Sequence, residues 1–176
     1  MPFYSLVSGD REGQGFEEAF DVLFPRAFRL ARRVVGDSAA AEDIAAEALA
    51  RAYARWPRVV DLPYRDAWVL RVAANLSMDD VRRRRPGPAP APAAGPDADD
   101  VVALRLALAA ALSALPRRQR EAVTLRYLGD LSDADVAGAL GISAGSVKTH
   151  LHRGLAALRA RLGPAIDQEA IPFGLE

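Results

Sequence analysis

The chain contains no cysteine, which excludes disulfides, thiolate-held zinc and a cysteine redox switch within it. Lysine is almost as scarce, Lys148 being the only one. The remaining basic side chains are arginines, which suit bidentate contacts to phosphate and guanine, although an Ala- and Arg-rich chain also fits a GC-rich genome. Lys+Arg 23 against Asp+Glu 23 leaves no net charge, so no global basic field announces a polyanion. The longest apolar run, Val101 to Leu115, is interrupted by Arg105 and is too short to span a bilayer. The start, MPFYSLVSGDREG, has neither a basic nor an apolar leader region. A soluble cytoplasmic protein is expected. No segment alternates with period two, so no sheet is expected. No nucleophile–base constellation and no glycine-rich phosphate loop stand out, so the chain does not read as an enzyme, and no cofactor is expected.

Charge is uneven where composition is balanced. Residues 86–100 and 163–176 carry only acidic charge, whereas Ala144 to Leu162 has no acidic residue. Just before and within that second stretch, LSDADVAGALGISAGSVKTHLHRGLAALRARL (131–162) reads as helix, three-residue turn and helix. Ser132 with Asp135 forms a capping-box start for a helix over 133–140. Gly141 supplies a left-handed residue to end it, and Ile142 anchors the turn from inside. Ser143 caps a longer helix that stops at Gly163-Pro164. Val147, Leu151, Leu155, Leu158 and Leu162 form its apolar stripe. Ser146, Thr149, His150 and Arg153 fall on the opposite face, with Lys148 and His152 on one flank. A solvated basic helix would look similar, but the glycine-turn spacing favours a reader of the DNA major groove. Ser143, Ser146, Lys148, Thr149, His150 and Arg153 are its candidate DNA-contacting residues, with Arg117, Arg118, Arg120 and Arg126 on the backbone. His150 and His152 sit roughly 200° apart on the helix and cannot share a metal ion. No metal site is expected.

The clearest boundary is PGPAPAPAAGPDADD, Pro86 to Asp100, whose alternating Pro and Ala favour extended, semi-rigid chain. The fold expected is all-α: two small helical domains, 1–85 and 101–176, joined by the linker 86–100, with the helix-turn-helix in the second. Upstream, a helix over 16–35 is kinked or split at Pro25. A second helix, capped by Asp37 or Ser38, reaches Trp56 and ends at Pro57. A third runs from about Tyr64 to Ala74, a break falls at Asn75, and a fourth covers 77–85. Downstream, helices are predicted over 99–115 and from Pro116 to Leu128, closed by Gly129. The tail from Ile166 carries Ile171, Phe173 and Leu175.

Two upstream stretches give this organisation a more specific meaning. AEDIAAEALARAYARW (41–56) and AWVLRVAANLSMDDVRRRR (67–85) resemble the second conserved region of bacterial sigma factors. ALPRRQREAVTLRYLGDLSDADVAGALGISAGSVKTHLHRGLAALR (114–159) resembles their fourth region. With first and third regions missing, the pattern is similar to the two-domain extracytoplasmic-function (ECF) group. The resemblance implies that the N-terminal domain binds core RNA polymerase and the minus-ten element, and that the C-terminal one binds the minus-thirty-five element.

From spacing alone, Asp43, Glu47 and Arg51 make an i, i+4, i+8 ladder that supports a lone helix. The resemblance implies that this ridge docks on the β′ clamp, with Ala46 standing where the family usually has glutamine. Asn75 reads as a helix cap; the resemblance makes Asn75, Leu76, Ser77 and Met78 the loop that holds a flipped base of the minus-ten strand. Arg82, Arg83, Arg84 and Arg85 suit a solvated helix end or, in this family, phosphates of the opened strand. Tyr64 and Trp68 could stack on bases, although Trp68, on the Val72 side, reads better as core. His150 replaces the arginine common at its position. The implied partners are core polymerase through its β′ clamp and β flap, promoter DNA and, in many members, an anti-sigma protein, but no membrane. The alternative is a LuxR-type regulator that binds an operator as a dimer, since VKTHL is at home in its helix-turn-helix. Such a regulator needs a receiver or ligand-binding domain upstream, where this chain offers four helices.

Overall fold

A computed structural model describes residues 7–84 and 96–163. Among these residues there is no strand. Among the described residues eight α-helices follow one another: α1 (Val7–Val35), α2 (Ser38–Tyr53), α3 (Trp56–Val59), α4 (Arg65–Arg83), α5 (Pro96–Ser113), α6 (Arg117–Val123), α7 (Asp133–Leu140) and α8 (Ala144–Leu162). A π-helical turn, Thr124–Leu128, continues α6.

In the first half α1, α2 and α4 pack together around Leu23, Leu30, Leu49 and Leu70, each at most 1% exposed. Pro25 neither ends nor splits α1. Its ring is exposed, so the carbonyl that loses its amide partner faces water, where the loss costs least. Asp37 caps α2 by accepting from the Ala39 amide at 3.2 Å. That helix stops at Tyr53, short of Trp56, and Pro57 opens α3 in place of ending α2, the first turn being where proline's missing N–H is not needed. Trp56 is buried edge-on against Phe16, their ring centres 5.0 Å apart.

The break expected at Asn75 is absent: α4 runs unbroken through it. Ala67, Leu70, Ala73, Ala74, Ser77 and Met78 recur at helical spacing and form its buried stripe. The Ser77 hydroxyl donates to the Ala73 carbonyl at 2.8 Å, so a residue that caps helices elsewhere is satisfied inside one.

In the second half α6 and α7 pack on α8. The local chemistry sets the ends of these helices. Ser132 and Asp135 form the reciprocal capping box, and Gly141 is left-handed at φ 66°. Ser143 caps α8 by accepting from the Ser146 amide at 3.1 Å, and Gly163 ends it. After the π turn the left-handed residue is Asp130, φ 52°, not Gly129. Helix α5 begins at Pro96, so the last five residues of the expected linker are helical; 85–95 lie outside the described residues, as does the tail from 164. One buried apolar cluster runs through both halves.

Candidate promoter and polymerase interface

Major-groove reading needs a helix whose outer face is cationic and whose N-terminus is open to phosphate. Helix α8 meets the first requirement by its packing. Val147, Leu151, Gly154 and Leu158 are buried, which turns Lys148, Thr149, His152 and Arg153 to solvent. Gly154 allows α8 to lie close on α6: a Cβ there would stand 2.7 Å from Val123 Cγ2. Ser143 is exposed and Ser146 half-buried; their hydroxyls lie 2.9 Å apart over the first turn. The Thr149 hydroxyl is engaged with the Gly145 carbonyl at 3.0 Å. Lys148 and Arg153 are exposed and form no ion pair among the described residues.

His150 departs from the expected placement. It is half-buried on the flank of the stripe, and its Nδ1 is covered without a hydrogen-bond partner. At this position the ring lies roughly 70° from the centre of the buried face, which takes it out of the outward row formed by Thr149 and Arg153.

The arginines expected on the DNA backbone are engaged within the chain. Arg117 and Arg118 both reach Glu121 at 3.2 Å, and Arg118 also reaches the Leu140 carbonyl. Arg120 donates to the carbonyls of Ser113 and Leu115. Burial lowers the pKa of Arg120, and Arg82 nearby lowers it further. Arg126 pairs with Asp133 at 3.2 Å.

On α2, Asp43, Glu47 and Arg51 are all exposed along one ridge, with Arg51 Nε 2.7 Å from Glu47 Oε1. The adjacent faces bury Ile44, Ala45, Ala48 and Leu49, so this ridge is held rigidly at the surface.

The candidate minus-ten residues are divided by α4. Asn75 is exposed and Leu76 half-buried, whereas Ser77 and Met78 are 0% and 3% exposed. The same spacing that runs Leu70, Ala73 and Ala74 along the core carries these two inward, a signal present in the sequence. The arginine run is not unpartnered: Arg82 pairs with Asp79, Arg83 with Asp80 at 3.8 Å, and Arg84 with Asp80 at 2.7 Å and Asp37 at 3.6 Å. Arg85 lies outside the described residues. Tyr64 is half-buried against Gly138 of α7, and Trp68 is a half-buried member of the core's rim.

Arg71 and Glu121 were not among the residues expected from the sequence. Arg71 of α4 donates to the Ala139 carbonyl at 2.8 Å and to Glu121 at 3.3 Å, and Glu121 is 4% exposed. The available signal was a single acid among Arg117, Arg118 and Arg120.

No group of three or more metal-ligating side chains occurs among the described residues, and among them no helix is long and apolar enough to cross a membrane. Residues 20–86 match the family model for sigma-70 region 2, and residues 105–158 that for sigma-70 region 4. The chain is 38% identical over 151 residues to the RNA polymerase sigma-E factor of Streptomyces coelicolor, covering 84% of this chain and 85% of that protein. It is 31% identical over 175 residues to the ECF RNA polymerase sigma factor SigW of Bacillus subtilis, covering 89% and 92%. Its fold is similar to CnrH solved in complex with the cytosolic domain of CnrY, with TM-score 0.60 and 24% identity over 85% of this chain and 92% of that one. A region-2 match occupies the segment where a LuxR-type regulator would carry its sensory domain, so that alternative is not favoured. The chain belongs to the sigma-70 family of RNA polymerase sigma factors, in its extracytoplasmic-function group.

Proposed function

We propose that the two halves divide the work of promoter reading, residues 1–85 acting on core polymerase and the minus-ten element and residues 101–176 on the minus-thirty-five element. As a sigma factor the chain binds core RNA polymerase and promoter DNA and directs initiation, acting by binding and not by catalysis, in the cytoplasm. The observation that carries the upstream assignment is the exposed face of α8, where Lys148 and Arg153 stand without carboxylate partners. Arginine there suits a bidentate contact to guanine, and the helix N-terminus with Ser143 and Ser146 suits phosphate. His150, turned to the flank, contributes at the groove edge.

For the polymerase, the Asp43–Glu47–Arg51 ridge is the docking face for the β′ clamp, and the second half meets the β flap. For the minus-ten strand, Asn75 and Leu76 are the accessible members of the proposed pocket, and Arg82 to Arg85 are the phosphate side. Ser77 and Met78 join that pocket only if the end of α4 rearranges, an unstacked base being held where the duplex opens. An anti-sigma protein is a further partner, as in other members of the family. Run-off transcription with core polymerase on a genomic fragment library tests this reading. Promoter-specific transcripts that need this protein are the expected result, and operator binding without any such transcript would refute it.

A further inference from the structure

Lys148 is the only lysine in the chain, and apart from two histidines every other basic side chain is an arginine. The difference is one of reactivity as well as shape. A lysine amine, once neutral, attacks an activated carbonyl, whereas a guanidinium keeps its charge. Acyl transfer to a side-chain amine of this chain therefore has one target, and that target stands exposed on α8. We propose that Lys148 is a modification site that takes an acyl group from an activated donor, an acyl phosphate or an acyl thioester, with His152 as the base, and that acylation weakens reading of the upstream element. The effect on the promoter rests on the groove-reading assignment above; the reaction itself is read from α8.

The surroundings of Lys148 leave it free to react. It forms no ion pair among the described residues, and with no acidic residue from Ala144 to Leu162 no carboxylate of α8 can hold its ammonium. The turn before it carries Ala144 and Gly145, both exposed, so no large side chain of that turn crowds it. His152 stands one turn on, at i+4, where Cβ atoms lie roughly 5–6 Å apart. It is exposed too, and among the described residues no hydrogen bond or ion pair occupies its ring. His150 cannot take its place, being half-buried and roughly 200° round the helix from Lys148. Imidazole is the side chain that accepts and releases protons near neutral pH. The Lys148 ammonium passes one proton to His152, and the freed lone pair forms an N–C bond to the acyl carbon. The acyl C–O bond to phosphate, or the C–S bond of a thioester, then breaks. Its electron pair leaves with the phosphate or thiolate, which takes up the second proton from nitrogen, and His152 returns its own to water. The amide is neutral, so one positive charge disappears from the face that meets DNA. One such contact contributes roughly 0.9 to the slope of log affinity against log salt, or roughly fivefold in affinity at about 0.15 M relative to 1 M.

The full chain is treated with acetyl phosphate or, in a second arm, with acetyl coenzyme A, freed of reagent and mapped by peptide mass spectrometry. Lys148 is expected to be the one acetylated side chain, formed several-fold more slowly in His152→Ala, and the arm that labels it identifies the donor. Treated and untreated chains are then joined to untreated core polymerase and titrated with a promoter fragment across a salt series. Acetylation should lower affinity roughly fivefold near 0.15 M salt and make the salt slope shallower by roughly one. In Lys148→Arg, which cannot take the group, treated and untreated chains should bind alike. No label at Lys148 from either donor would overturn the proposal, as would equal labelling rates with and without His152. So would an acetylated chain that binds the promoter as the untreated chain does. Failure of the groove-reading assignment looks different: an untreated holoenzyme that leaves the upstream element open to nuclease retires that assignment, while acetylation of Lys148 through His152 still stands.

Discussion

Two glycines in α8 should respond to alanine with opposite signs. Gly154 is buried where α8 crosses α6, and a Cβ there would lie 2.7 Å from Val123 Cγ2, with Gln119 Cβ and O each at 3.5 Å. Carbon atoms settle at about 3.5–4.0 Å, so the methyl is about 1 Å too close to one neighbour. Val123 is 4% exposed and has no free space to move into. Overpacking of this kind costs about 1–3 kcal/mol. Alanine's helix preference offsets about 1 kcal/mol of that, leaving a net loss of up to about 2 kcal/mol. At about 2–4 °C per kcal/mol for a chain of this size, Tm should fall by up to roughly 8 °C. Gly145 has only Ser143 Oγ nearby, at 3.9 Å. There the preference acts alone and should raise Tm by roughly 1–4 °C. Thermal unfolding of both variants by far-ultraviolet circular dichroism decides the matter. If Gly154→Ala proves as stable as Gly145→Ala, α8 does not lie against α6 as described.

The binding predictions are separable in the same way. Arg153→Ala should cost about 1–3 kcal/mol on the upstream element and relax its sequence preference; equal weakening on random DNA, measured by fluorescence anisotropy, would mean that Arg153 touches only phosphate. Glu47→Ala combined with Arg51→Ala should lower affinity for core polymerase in a competition assay and leave binding of isolated promoter DNA unchanged. Loss of DNA binding with polymerase affinity intact would reverse the assignment of the ridge.

What could be read along the sequence was what local chemistry decides. Ser132 with Asp135, Gly141, Ser143 and Gly163 act within a turn or two of themselves, and the helix-turn-helix follows from them. The exposed ridge on α2 came from spacing in the same way. Asn75 and Pro57 misled because each residue has two local uses, and packing chose between them: α4 buries a stripe through Ser77 and Met78, and α3 takes the proline as its opening residue. The engagement of Arg117, Arg118, Arg120 and Arg126 was hidden for a different reason: a run of basic residues does not show which guanidinium groups Glu121, Asp133 and backbone carbonyls will take up. Arg71 reaches partners 50 and 68 residues away, and no local pattern announces such a contact.

The π turn has a consequence for how the two halves pack together. Between Thr124 and Leu128 the helix closes with a wider ring, the Gly129 amide donating to the Thr124 carbonyl at 3.0 Å. This shifts the phase of the helix partway along its length. Residues before the turn pack mainly on α8, whereas those within it pack on α1, α4 and α7. One helix can therefore present an inner side to its own half and, a few residues later, to the other. Shortening this turn by one residue to restore a regular helix would rotate its end by about 100° and carry the Leu128 carbonyl away from Arg33. Each half would keep its own buried stripe, but the contact that joins the end of α1 to the end of the π turn would be lost.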